Sequence, residues 1–393
     1  MQLESFSFSV YTGKKHIGKE GDFMQNLSMK HRCIIGFTLF SMFFGAGNLI
    51  FPPLLGAQAG RDTILAMAGL GLTAVLLPIL SVMAVARHDG LTNLVGSIHP
   101  VLAVLFAVFV HLMIGPCVAI PRTASTSFEM AVAPFFHNSD QTLFLIRCVY
   151  SFVFFTAAIM IALKPTHLKD LLGKIMTPVL LVLIAVTFFG VLVKLPALFA
   201  APNAYYAGHP IRSGFITGYQ TMDILAAYNF GTVISMNIGS FGITDKKAVA
   251  SETIRAGIMA GIMLIIVYGA TSYIGAVCSV DFPGAQNGAE ILTWAVKACY
   301  GIYGQLIIGA IFFIACFNVC VGLLCCCATF FHELLPKISY VAWLIIFAVS
   351  SFVISSAGLN FILTMSLPVL QIMCPVAILI TVYGLIRKPY FRP

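Results

Sequence analysis

The chain has 393 residues, and only 9% of them are Asp, Glu, Lys or Arg. Soluble domains carry about 25% charged residues, so a water-soluble globular protein is excluded. Disordered chains are polar and charge-rich, so disorder is excluded too. The alternating apolar and polar segments of an outer-membrane barrel are missing. No HExxH, nucleophile elbow or P-loop occurs, so the common hydrolase and nucleotide-binding signatures are absent. No Lys/Arg stripe interleaved with aromatics occurs, which argues against a nucleic-acid partner, and no protein partner is called for. Residues 1–32 lack an apolar stretch and so are not a signal peptide.

What the sequence holds is apolar length. Hydrophobic residues make up 60%, and mean hydropathy is +0.98. Runs such as 178–193 are nearly unbroken. The fold class is therefore an all-α polytopic membrane protein. A span needs about 20 mostly apolar residues. The chain predicts ten: 33–57, 63–86, 101–131, 142–163, 172–193, 213–238, 256–280, 303–331, 338–358 and 360–386. Prolines mark several boundaries, at Pro100, Pro165 and Pro336. The 11 cysteines lie mostly in apolar runs and read as small buried residues.

Net charge is +8, from 22 basic and 14 acidic residues. With the N-terminus inside, six basic residues fall outside: Arg61, Arg122, Arg147, Lys194, Arg212 and Lys297. The other 16 fall inside. The positive-inside rule then expects both termini in the cytoplasm. The expected organisation is a tail at 1–32, a five-span repeat at 33–194 and an outer connection at 195–212. A second, inverted five-span repeat at 213–386 and a cytoplasmic end at 387–393 follow. Inverted repeats of this kind build many secondary transporters.

The first and sixth spans carry residues that hydrocarbon disfavours. The first has Gly45, Ala46, Gly47 and Asn48 at its middle. Glycine weakens a helix by ~1 kcal/mol relative to alanine. Unwound backbone at that depth must line a cavity or be buried in protein. A packing notch between helices is the other reading. The sixth span has Gly218, Tyr219, Gln220, Thr221 and Asp223. A mid-span carboxylate costs about 2.5–3.5 kcal/mol on insertion scales. Asp223 either lies on the substrate or ion path or, with Thr221, caps the second half-helix. Both readings require a broken helix.

A half-helix starting near Gly47–Asn48 offers free N–H groups to a carboxylate. One ending near Gly218 offers carbonyls to an ammonium group. The pair suits a zwitterionic amino acid, with Phe43, Phe44, Tyr219 and Phe230 as candidate walls of a side-chain pocket. Arg122 and Glu129 share a face of the third span and read as an outer gate or an interfacial anchor. His111 reads as a proton-handling group or a packing residue. Residues 281–300 read as a lid or a solvated loop.

These residues resemble a known family. The run from Phe40 to Pro53, Ile120-Pro121-Arg122-Thr123-Ala124 with Ser127-Phe128-Glu129, and Gly218 to Asp223 resemble motifs of the branched-chain amino acid:cation symporters, the BrnQ-type carriers. So do Ser355 to Asn360 and Ser366 to Leu370. The resemblance covers residues 33–386. It implies the LeuT-like 5+5 inverted-repeat fold of the amino acid–polyamine–cation superfamily, with the first and sixth helices broken. It implies sodium-coupled import of leucine, isoleucine and valine, with methionine a further candidate, across a bacterial inner membrane. Beyond the coupling ion, Na+ or H+, no cofactor is implied. The implied sodium ligands are Ser41, Phe44, Ala315 and Asn318. Two departures stand out. The family usually has twelve spans, and Val319 stands where its eighth span has a threonine hydroxyl. A proton-coupled or facilitative carrier is therefore the alternative, with an intramembrane enzyme or sensor behind it.

Overall fold

The computed structural model describes residues 26–136, 140–282 and 287–387. Among these residues there is no strand. In chain order the helices are α1 (Met29–Phe43), α2 (Ala46–Ala59), α3 (Thr63–Gly71), α4 (Leu77–Arg87) and α5 (Leu91–Gly96). Then come α6 (Pro100–Leu112), α7 (Ala119–Ala131), α8 (Asp140–Ala162), α9 (Thr177–Lys194), α10 (Pro210–Tyr219) and α11 (Asp223–Gly239). The last are α12 (Lys246–Val277), α13 (Gly288–Tyr300), α14 (Ile302–Leu334), α15 (Tyr340–Ser355) and α16 (Leu359–Ile386). π-helical turns join α3 to α4 and α6 to α7, and a third leads into α9.

Seven segments among the described residues are long and apolar enough to cross a membrane, from Ala46–Arg87 to Pro368–Ile386. Their outward residues are apolar, as with Phe152, Leu306 and Leu379, each more than half exposed. Exposed apolar surface on this scale suits lipid rather than water. The chain is a multi-pass membrane protein.

The two broken spans pack reciprocally. Both halves of the first, α1 and α2, lie on α12. The halves of the sixth lie on the second span, α10 on α3 and α11 on α4. Glycines let the backbones meet. A Cβ at Gly56 would sit 1.9 Å from the Ser272 carbonyl, and one at Gly214 would sit 1.9 Å from the Ala66 carbonyl. At the start of α1, Arg32 pairs with Glu252 of α12 at 2.9 Å, and Arg255 reaches the same carboxylate at 2.6 Å.

Several expectations need correction. The third span is not one helix. It turns at Gly115 (φ −74°, ψ −116°), followed by Pro116. Proline removes a helix donor and clashes with the preceding turn, which accounts for the kink. Residues 281–300 are not simply a solvated loop. Residues 288–300 form α13, which buries Ile291, Leu292, Ala295 and Val296 against α2 and α14. Its polar residues mark one face of an amphipathic helix. The seventh span begins at Lys246, not 256, because Asp245 caps it by accepting from the Ala248 N–H at 2.8 Å. The expected tails at 1–25 and 388–393, and residues 283–286, lie outside the described residues.

Candidate functional site

The first span breaks at Phe44 and Gly45, between α1 and α2. Asn48 stabilises the break by reaching back, its Oδ1 accepting from the Gly45 N–H at 3.1 Å. The first bond within α2 runs from the Leu49 N–H to the Gly45 carbonyl at 3.2 Å. The N–H groups of Ala46, Gly47 and Asn48 precede it, and such groups form the positive end of a helix.

The sixth span breaks at Gln220–Met222. Tight turns close it, Gln220 N–H to Thr217 O at 3.1 Å and Thr221 N–H to Gly218 O at 3.3 Å. Met222 is left-handed, at φ +69°. Such a residue costs of order 1–3 kcal/mol, and strain of this kind gathers at functional sites.

The two breaks meet. A Cβ on Gly47 would lie 3.3 Å from both Cα and O of Thr221, and 2.8 Å from Arg122 Nη2. Around this point is a cavity of about 40 Å3. Its polar edge is Gly45 to Asn48, Arg122, Thr123, Thr221 and Asp223. Its apolar wall is Met42, Phe43, Ile114, Ala119, Met222, Ala226, Val319 and Leu323.

Asn48 ties the two spans together. Its Nδ2 donates to Asp223 Oδ2 at 2.6 Å and lies within bonding reach of the Tyr268 hydroxyl. Tyr268 itself donates to Asp223 Oδ2 at 3.1 Å. All three side chains are buried. Asp223 is the first residue of α11, where its charge suits the helix dipole. Met222, the residue before it, makes no side-chain capping bond, and among the hydrogen bonds described the Asp223 carboxylate accepts from Asn48 and Tyr268. Thr221 donates its hydroxyl to the Gly218 carbonyl at 2.8 Å. Of the two readings of Asp223, its place in the first turn of α11 fits the dipole part of the helix-end reading, while its described hydrogen bonds run to other helices. The Gly218 carbonyl, expected to face an ammonium group, is engaged within the turn.

Arg122 is corrected as well. It lies in the cavity, 4% exposed, rather than at an outer gate with Glu129. The kink at Gly115 brings α7 inward and carries Arg122 with it. Its Nη1 donates to the Gln220 carbonyl at 3.4 Å, and its Cζ sits 5.4 Å from the Phe51 ring centroid. Glu129 pairs elsewhere, with Arg147 at 2.8 Å. Among the described residues that line the cavity, Arg122 is the one basic group.

The remaining candidates divide. Phe230 stands behind the cavity, edge-on to Phe43 at 5.0 Å. Phe44 stacks on Phe40, Tyr219 packs on Phe215, and Gln220 contributes only its carbonyl. His111 lies away from the cavity lining. Its Nδ1 is 2.7 Å from the Ala107 carbonyl and its ring stacks on Phe330 at 3.8 Å. Of the four candidate sodium ligands, Ser41 donates its hydroxyl to Thr38 O at 2.9 Å. The Phe44 carbonyl lies at the first break, and Ala315 and Asn318 are buried on α14. Both amide atoms of Asn318 lack a hydrogen-bond partner. Sequence reasoning missed Tyr268, because a tyrosine in an apolar run looks like ordinary packing. It also missed the Gly115-Pro116 break, a signal that was present.

A family profile described as "Branched-chain amino acid transport protein" matches residues 28–392. Branched-chain amino acid permease BrnQ of Bacillus subtilis (strain 168) is 36% identical over 356 residues, covering 90% of this chain and 80% of its own length. Branched-chain amino acid permease BraB of the same organism is 35% identical over 364 residues, covering 92% and 81%. Among solved structures, that of Mhp1 matches with a TM-score of 0.53 at 15% identity. Mhp1 is a nucleobase-cation-symport-1 family transporter, solved closed with bromovinylhydantoin bound. The match covers 88% of this chain and 77% of that one, and it is a likeness of fold.

Proposed function

The chain belongs to the branched-chain amino acid transport protein family, and on that premise we propose that it imports leucine, isoleucine, valine or methionine by alternating access. Its relatives are named permeases, and it is a transporter rather than an enzyme. The observation that carries the substrate reading is the cavity where the two breaks meet. The N–H end of α2 suits a carboxylate. Met42, Phe43, Ile114, Val319 and Leu323 suit a branched aliphatic side chain. At about 40 Å3 the cavity is far smaller than the ~150 Å3 one that takes benzene. Substrate entry therefore requires the helices around the breaks to move apart.

The ten-span, 5+5 reading draws support from the reciprocal packing. Each broken span leans on the span that follows the other, as two inverted repeats facing each other would do. The distribution of basic residues favours both termini in the cytoplasm, and the family supports placement in a bacterial inner membrane.

For coupling, we propose cation symport. Sodium is the first candidate, held by Asn318 and by carbonyls at the end of α1, since a hard cation takes oxygen ligands. The unpartnered, buried Asn318 amide supports this. Val319 adds methyl groups beside Gly45 and no oxygen. That observation favours a second reading, proton coupling through Asp223, which is buried and bonded only to neutral groups among the hydrogen bonds described.

The test is leucine uptake into proteoliposomes under separate sodium and proton gradients. Sodium-driven uptake lost in Asn318→Leu supports the first reading. Proton-driven uptake lost in Asp223→Asn, with exchange retained, supports the second. No uptake of any branched-chain amino acid refutes the substrate assignment.

A further inference from the structure

The Arg122 guanidinium is almost completely buried, at 4% exposed, on a helix that reaches the middle of the molecule. Only Nη1 is engaged, by the Gln220 carbonyl and the Met222 sulfur, both at 3.4 Å. Nε and Nη2 have no hydrogen-bond partner. These two nitrogens form one edge of the guanidinium plane, the side-on fork that matches a carboxylate with two parallel bonds. Burying a charged donor without a partner is expensive, and such groups in native proteins call for an explanation. Asp223 lines the same cavity, near enough to feel the charge of Arg122, yet among the described residues no carboxylate forms a salt bridge with Arg122: Asp223 bonds to Asn48 and Tyr268, and Glu129 to Arg147.

The position of the open edge is set by Gly47. Its Cβ, if it had one, would lie 2.8 Å from Nη2. The fork thus opens beside the N-terminal turn of α2, where the N–H groups of Ala46, Gly47 and Asn48 are ahead of the first intrahelical bond. Two independent sources of positive potential, a helix N-terminus and a guanidinium, converge on one small volume. The Phe51 ring below the guanidinium holds its plane in place.

We propose that Arg122, together with the first turn of α2, is the receptor for the substrate's α-carboxylate. The proposal rests on the reading of this cavity as the substrate site. It makes the carboxylate a required feature of the ligand. The apolar wall then selects the side chain, while the fork rejects amines and amino alcohols of the same shape. A neutral hydroxymethyl group in place of the carboxylate leaves the guanidinium buried and unpaired.

The experiment compares leucine with leucinol, which keeps the amine and side chain but lacks the carboxylate. Ligand-induced rises in melting temperature are titrated on the purified full chain, for wild type, Arg122→Gln and Arg122→Lys. A bond to a charged group is worth about 10- to 100-fold in affinity. Wild type is expected to bind leucine at least about tenfold more tightly than leucinol. Arg122→Gln should lose about 10- to 100-fold for leucine, with leucinol changed less than about threefold. Arg122→Lys should restore part of the loss, since it returns the charge without the fork.

Equal losses for both ligands, or none, overturn the proposal and leave the substrate reading intact. If Arg122→Gln does not fold, wild type alone decides: leucinol bound as tightly as leucine overturns it. If wild type binds no branched-chain amino acid, the substrate reading fails. Arg122 then stands only if another α-amino acid binds wild type and is lost in Arg122→Gln, and it is overturned if none binds.

Discussion

Gly47 is the position at which the two breaks and Arg122 come closest, and a side chain there makes a graded test. An alanine Cβ would lie 2.8 Å from Arg122 Nη2 and 3.3 Å from Cα and O of Thr221. The first contact must give way. Its partner is the end of a long side chain, so the guanidinium can move while the backbone stays. Overpacking of this kind costs about 1–3 kcal/mol, which the protein tolerates while the site does not. Displacing the guanidinium by a few tenths of an ångström weakens one charged bond, so Gly47→Ala should raise the KM for leucine about tenfold, or ~1.4 kcal/mol. Gly47→Leu would fill the cavity of about 40 Å3 outright. It should abolish uptake while leaving membrane insertion and expression unchanged. The assay is radiolabelled leucine uptake into proteoliposomes, with membrane-fraction yield as the control for insertion. Wild-type KM and maximal rate in Gly47→Leu would refute the site.

Further expectations follow from the same geometry. Tyr268→Phe removes the hydroxyl that Asp223 and Asn48 share; it should lower leucine uptake and cost about 1–3 kcal/mol in detergent unfolding, and unchanged uptake and unfolding would count against the three-residue link. Gly56→Val places a Cβ 1.9 Å from the Ser272 carbonyl, so α2 must part from α12 and the melting temperature must fall; an unshifted melting temperature contradicts the packing described. Arg32→Gln breaks the bond to buried Glu252 at 2.9 Å. It leaves Arg255 as the one ion-pair partner of Glu252 among the described residues and should destabilise the chain by about 1–3 kcal/mol, read by thermal unfolding.

The breaks were legible in the sequence because hydrocarbon tolerates so little of what they contain. Gly45, Gly47 and Asn48 in one span, and Gly218 to Asp223 in another, are too polar or too weakly helical to be ordinary lipid-facing helix. The helix ends fall within a few residues of where those glycines put them, at Phe43, Ala46, Tyr219 and Asp223. The partners across the site were not legible. Tyr268 lies 45 residues from Asp223, and only the packing of α12 against α2 and α11 brings it near. Arg122 looked interfacial because a span read as one straight helix carries it outward, whereas the turn at Gly115 carries it in. Asp223 read as either a path residue or a cap because local sequence shows the helix start but not the two donors arriving from other helices. The 288–300 helix was hidden by its mixed polarity, which in a membrane protein marks either a loop or a helix lying along the rest of the fold.

The central claim is that the joined breaks form the substrate site of a branched-chain amino acid carrier, and counterflow tests it most directly. Proteoliposomes are loaded with an unlabelled amino acid and diluted into labelled leucine with no ion gradient imposed. The account predicts transient accumulation of label when the lumen holds leucine, isoleucine or valine, none when it holds lysine or aspartate, and none for Gly47→Leu under any loading. Accumulation that ignores the luminal amino acid, or that persists in Gly47→Leu, would contradict it.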